Sequence, residues 1–173
     1  MGRLWVGPPW EDAPPGALTV VIDSARAFGT GAHATTRLCL ELLSVVPGGS
    51  LLDVGCGSGV LAIAGAKLGF APVSAIDVDP VAVDATLRNA MFNNVAIVVK
   101  LADGLSDALP EADVAVANLT LDSVTAISQL VRASLLVTCG YLAADELALE
   151  GWERRDRREA DGWAADLWAP IAE

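Results

Sequence analysis

The chain has 173 residues, 53% hydrophobic and 19% charged, which fits a single globular domain able to bury roughly 70% of its unfolded-chain surface. Its 22 acidic against 11 basic residues give a formal charge of −11, so a broad nucleic-acid surface is not expected. One histidine and three scattered cysteines (Cys39, Cys56, Cys139) supply neither a multi-histidine metal site nor a zinc or disulfide framework, and they suit a reducing, cytoplasmic compartment.

The first residues lack the basic-then-apolar pattern of a signal peptide. The most apolar long stretch, residues 59–76, is interrupted by Gly65, Lys67, Gly69 and Pro72, so it reads as helix, turn and strand and not as a membrane span. Residues 1–16 hold Pro8, Pro9, Pro14 and Pro15 and are expected to form an extended lead-in, with the domain proper at 17–173.

A short strand is predicted at 18–22, a Gly/Thr loop at 24–34, and a helix at 35–46 with Leu38, Leu42 and Val45 on one face. Strand 50–54 runs into Gly55-Cys56-Gly57-Ser58-Gly59, and helix 58–68 follows at once. Strand 73–76 closes on Asp77-Val78-Asp79-Pro80, where Asp79 as N-cap and Pro80 at the first helical position start helix 81–92. Strands at 95–100, 113–117 and 135–138 follow, with a helix at 121–132 before the last of them. Segments 152–160 and 163–169 flank Asp161-Gly162 and read as a β-hairpin. Arg154, Arg155, Arg157 and Arg158 are expected on a solvated face of that hairpin, alternating with acidic neighbours. The alternation of strands and helices predicts an α/β fold: a doubly wound, mostly parallel, seven-stranded sheet with a C-terminal antiparallel hairpin.

Ligands of such sheets bind beyond the carboxyl ends of the strands, where the strand order reverses. The glycine turn, Asp77, Asp103 and Asn118 all fall at predicted carboxyl ends. The turn lets a ligand lie against bare backbone amides at a helix N-terminus. Gly55, Gly57 and Gly59 stand on alternate positions, unlike the dinucleotide fingerprint, whose third glycine falls one position later; a ligand without phosphates at this point needs only close approach. Asp77 is read as the acceptor for both hydroxyls of a ribose, because Asp79 is the better-placed cap. Asp103 is either an acceptor for an adenine amino group or a solvated loop residue. Asn118 either orients a nucleophile beside the cofactor or ends its strand as a turn residue. His33 either takes part in the chemistry or is structural.

Residues 53–59, Asp-Val-Gly-Cys-Gly-Ser-Gly, together with Ala75-Ile76-Asp77-Val78-Asp79-Pro80, resemble class I S-adenosylmethionine-dependent methyltransferases with their Rossmann-like sheet. Ala27-Phe28-Gly29-Thr30-Gly31-Ala32-His33-Ala34-Thr35-Thr36, Trp5-Val6-Gly7-Pro8-Pro9-Trp10 and Val116-Ala117-Asn118-Leu119 look more narrowly like the PrmA family, which methylates amino groups of large-subunit ribosomal protein eleven. The resemblance implies S-adenosyl-L-methionine as cofactor, contacted by Thr36, Gly55, Asp77 and Asn118, with Phe28, Thr30 and His33 shaping a loop over its methyl group. Joined to the reading of the residues, it makes Phe28, Thr30, Thr36, Gly55, Gly57, Gly59, Asp77, Asp103 and Asn118 the expected cofactor residues. Asn118 and His33 are the expected catalytic ones.

The family carries a substrate-recognition domain ahead of the Trp-Pro-Pro-Trp region, so the chain is expected to be a catalytic domain without it. The acceptor is then a protein, a ribosomal protein first among them, or a small molecule. Two other readings compete. An NAD-dependent oxidoreductase would use a similar sheet, but the glycine spacing and the hairpin argue against it. A cofactor-binding regulatory module without catalysis is opposed by the intact glycine turn, Asp77 and Asn118.

Overall fold

The computed structural model describes residues 4–23 and 33–172. Strands β1 (Leu4–Gly7) and β2 (Leu18–Val21) pair in parallel as a separate two-stranded ribbon. The expected lead-in therefore begins with a strand, and its prolines occupy the connection to β2, where no ladder hydrogen bond is required of them. Val20 and Ile22 tie this ribbon into the main core.

Helix α1 (Ala34–Leu43) is followed by β3 (Leu51–Val54), α2 (Val60–Leu68), β4 (Val73–Asp77), α3 (Pro80–Phe92) and β5 (Val98–Leu101). Then come β6 (Ala112–Asn118), α4 (Leu121–Ser128), β7 (Ala133–Leu142) and the hairpin β8 (Trp152–Ala160) and β9 (Trp163–Pro170). Among the described residues seven strands form one sheet in the order β5-β4-β3-β6-β7-β9-β8. The first five pair in parallel, and β7–β9 and β9–β8 are antiparallel. Asp161 (φ 53°) and Gly162 (φ 80°) make the two-residue, positive-φ hairpin turn that Asp-Gly favours.

Both faces of the central strands are covered, which is why they read as continuous apolar runs. Leu51, Val114 and Val116 point into the layer of α1 and α2; Leu52, Val54, Ala115 and Ala117 point into the layer of α4. The chain runs outward from β3 through β4 to β5, then returns to the other side of β3 with β6. The strand order reverses there, so the carboxyl ends of β3 and β6 flank the crevice where ligands of open α/β sheets lie.

Three expectations need correction. Helices α1 and α4 stop several residues early, at caps Ser44 and Gln129 whose backbone N–H groups close the last turn. Strand β7 is ten residues and not four, because it pairs with β6 on one side and β9 on the other. The arginine cluster is not a uniformly solvated face. A register shift between Arg154 and Asp156 puts Arg154 and Arg157 opposite Trp168 and Asp166, on one side of the sheet. Arg157 reaches the buried Asp166 at 3.1 Å, and Arg154 lies at 3.5 Å from it.

Candidate active site

The carboxyl ends of β3, β4 and β6 open onto a cleft of about 380 Å³, within the size range of small-molecule sites. Thr36, Gly55, Gly57, Asp77, Asp103 and Asn118 all line it, so six of the residues singled out in the sequence converge. Gly59 does not line it: it caps α2 behind the turn, where a Cβ would sit 2.7 Å from Thr86 Cγ2. Phe28 and Thr30 lie outside the described residues. His33 caps α1 and reaches the cleft only through its neighbours.

The glycine turn supplies shape and not donors. Gly55 N and Cys56 N both donate to Ile76 O, Gly59 N donates to Cys56 O, and Gly57 N donates to Asp77 Oδ2 at 2.9 Å. The expectation of bare amides is thereby corrected for these four groups, whereas that of close approach stands. Gly55 (φ 75°) needs its glycine twice over, since a Cβ there would come 2.5 Å from Leu119 Cδ2. Behind the turn, Thr86 donates to Gly57 O and Asn89 Nδ2 donates to Ser58 O. Asn93 binds both backbone polar groups of Val21. Thr86, Asn89 and Asn93 thus form a buried polar stripe along α3 that braces the turn against β2, a role the sequence did not disclose.

Asp77 is held by two backbone amides, Gly57 N on Oδ2 and Asp79 N on Oδ1 at 3.0 Å. A carboxylate has about four lone-pair directions, so about two remain for a ligand. Asp79 caps α3 as expected, accepting from Val81 N at 2.8 Å. Asp103 spends Oδ1 on Leu105 N in its own loop. Asn118 Nδ2 donates to Thr35 Oγ1 at 3.2 Å, and Thr35 Oγ1 lies 2.9 Å from His33 Nδ1. Burial pushes the Cys56 thiol up to about 12, so this cleft residue is a neutral wall at pH 7 and not a nucleophile.

Asp53 lies beneath the turn, 1% exposed, and accepts from Ala62 N in the first turn of α2. Burial raises its carboxyl to about 7, opposed by that hydrogen bond and assisted by the nearby Asp77 charge. A carboxyl raised in this way keeps its proton in the native state while the unfolded chain has lost it. Stability from this group is therefore full below about pH 4, falls as pH rises to about 7, and is level above, by on the order of 4 kcal/mol across the window. In urea unfolding from pH 5 to 8, Asp53→Asn should already be the more stable at the acid end, and its lead over the wild type should widen by roughly 3 kcal/mol toward pH 7 and then level off. A difference independent of pH would refute the assignment.

The model of the family described as ribosomal protein L11 methyltransferase (PrmA) matches residues 1–159. The chain belongs to the PrmA family. Ribosomal protein L11 methyltransferases of Burkholderia orbicola and Burkholderia multivorans are each 41% identical over 93% of this chain and 57% of their own length. The chain thus spans just over half the length of the curated relatives it matches. A ribosomal protein L11 methylase from Lactobacillus delbrueckii subsp. bulgaricus superposes with a TM-score of 0.83 at 26% identity, over 95% of this chain and 93% of that one. The putative methyltransferase yhhF from Escherichia coli shares the fold alone, with a TM-score of 0.70 at 15% identity over 99% and 98% of the two chains. Fold and cofactor class, S-adenosylmethionine, come with PrmA membership, and the cleft fits that cofactor: it is mostly apolar, closely approached at Gly55 and Gly57, and provided with a carboxylate that has free acceptors.

Several residues of this PrmA site escaped the sequence reading. Leu119 packs on the glycine turn, and Gly140 (φ 106°) lets β7 pass so close to Leu119 that a Cβ would stand 2.0 Å from its carbonyl oxygen. A lone glycine within a strand was the available signal for such an approach. Thr35 lay within the PrmA-like stretch 27–36, but nothing there assigned it a role apart from its neighbour Thr36.

Proposed function

We propose that the cleft binds S-adenosylmethionine and that the chain transfers its methyl group to an amine of a protein, with ribosomal protein L11 as the first candidate acceptor. The observation that carries this reading is the convergence of Gly55–Gly57, Asp77 and Asn118 on one cleft where the strand order reverses. When bound, the cofactor supplies a methyl carbon already activated by its sulfonium. The protein contributes position and a dry site.

Asp77 accepts the two ribose hydroxyls with the lone pairs its backbone contacts leave free. Asp103, with Oδ2 outside its loop hydrogen bond, is the acceptor proposed for the adenine amino group. Val54, Leu61, Ile76 and Ile127 exclude water. Asn118 Oδ1 accepts an N–H of the incoming amine and so turns its lone pair toward the methyl carbon. The carboxylates among the described lining residues, Asp77 and Asp103, are assigned to the cofactor, so the amine is expected to arrive already neutral. A cytoplasmic setting belongs to the same reading, supported by three cysteines that are buried and unpaired. No helix among the described residues is long and apolar enough to cross a membrane.

Asn118→Ala tests the acceptor role. Methyl transfer to purified L11 should fall about 10- to 100-fold, the range for one lost positioning contact, while affinity for S-adenosylhomocysteine changes less than about threefold. Unchanged turnover would remove Asn118 from the mechanism.

A further inference from the structure

We infer that Thr35 is a positioning residue that sets which atom of the Asn118 amide faces the cleft, and that His33 and the C-terminal hairpin hold it in place. The inference rests on the role of Asn118 proposed above.

The argument starts from the direction of the hydrogen bonds. His33 Nδ1 receives the Thr35 backbone N–H, a group that can only donate, so Nδ1 must be the unprotonated ring nitrogen. The Thr35 hydroxyl 2.9 Å away then has an acceptor in front of it and donates its own proton. Its lone pairs are left for Asn118 Nδ2 at 3.2 Å. The relay therefore runs one way: Asn118 N–H to Thr35 O–H to His33 Nδ1. Asn118 Oδ1 remains as the atom for the cleft.

The direction matters to the chemistry. The two ends of an amide have nearly the same shape, so without a partner of fixed polarity the group can turn over. An Asn118 turned over would offer NH₂ to the incoming amine and bind the lone pair needed for attack. Held as it is, it accepts an N–H and leaves that lone pair free.

The relay is shielded and backed. Thr35 is 4% exposed and does not line the cleft. The His33 ring meets Trp163, the first residue of β9, edge-on with centroids 5.1 Å apart. Arg37 of α1 binds Asp161 of the hairpin turn at 2.6 Å. The hairpin therefore fixes the N-terminus of α1, which carries the relay.

His33 is the sole histidine of the sequence, so its ring ¹⁵N signals are unambiguous. In the wild-type protein above neutral pH, NMR should show Nε2 protonated and Nδ1 bare; a proton on Nδ1 overturns the relay without recourse to any variant. Thr35→Val should shift the Asn118 side-chain NH₂ signals and lower methyl transfer to purified L11 about 10-fold, with S-adenosylhomocysteine affinity within about twofold. Thr35→Ser, which keeps the hydroxyl, should recover most of the rate. Placed on Asn118→Ala, Thr35→Val should add no further loss, because both changes remove one unit. If Asn118→Ala is slow but Thr35→Val is not, or if the two losses multiply, the inference falls. If Asn118→Ala turns over normally, or wild type does not methylate L11, the underlying reading falls while the His33 signals still decide the relay.

Discussion

Replacing Asp77 by alanine is expected to weaken binding of S-adenosylhomocysteine by at least about 100-fold and to leave the fold intact. Hydrogen bonds to a charged group are worth about 1.5–3 kcal/mol each, so two lost ribose contacts amount to about 3–6 kcal/mol, or roughly two to four decades of affinity. A further loss follows from the turn itself, since Gly57 N donates to Asp77 Oδ2 and is released with it. The core is not engaged: Asp77 is half-buried at a strand end, and Asp79 caps α3 independently. Thermal melting should thus move by only a few degrees. Asp77→Asn retains one acceptor atom and should fall between the two. Calorimetry showing wild-type affinity in Asp77→Ala would remove the ribose assignment.

Replacing Asp166 by alanine should cause the largest loss of stability among these replacements, without touching the cleft. Its carboxylate is fully buried and accepts from Tyr141 Oη at 2.8 Å and Arg157 at 3.1 Å. Removing one partner of a buried pair costs about 3–5 kcal/mol, because the other charge is left uncompensated. The lower end applies here, since the Arg157 side chain is 21% exposed and keeps Glu159 Oε1 at 2.7 Å and the Ala143 carbonyl at 2.8 Å as partners. About 3 kcal/mol corresponds to a fall of roughly 6–12 °C in Tm for a chain of this size. Arg154 is 40% exposed and more distant, so Arg154→Ala should cost less than about 1 kcal/mol. Equal losses from Asp166→Ala and Arg154→Ala would show that the network is not centred on the buried carboxylate.

These two residues mark what the sequence made legible and what it did not. The place of Asp77 in the cleft was readable because it ends the strand next to the alternate glycines, although its two backbone contacts, to Gly57 N and Asp79 N, were not. The sheet was readable because period and punctuation agree from β3 to β6. Asp166 and its arginines were not, because the register shift at Arg154 and Asp156 breaks the period-two rule that assigns faces to strand residues. Thr86, Asn89 and Asn93 were hidden for a related reason: polar residues at helical spacing normally face water, and only the packing of α3 behind the glycine turn draws them inward. The turn itself was half read. The turn was expected to expose amides, but those of Gly55, Cys56, Gly57 and Gly59 are satisfied within the protein, so what these four positions offer a ligand is shape.

Transfer of labelled methyl groups from S-adenosylmethionine to purified ribosomal protein L11 tests the central claim most directly, with the relatives' additional segment supplied separately in one arm. Label should appear on the protein with the wild-type chain and drop sharply with Asn118→Ala. A chain that binds S-adenosylhomocysteine yet labels neither L11 nor any other component of a cell lysate would contradict the account and leave a cofactor-binding module without catalysis.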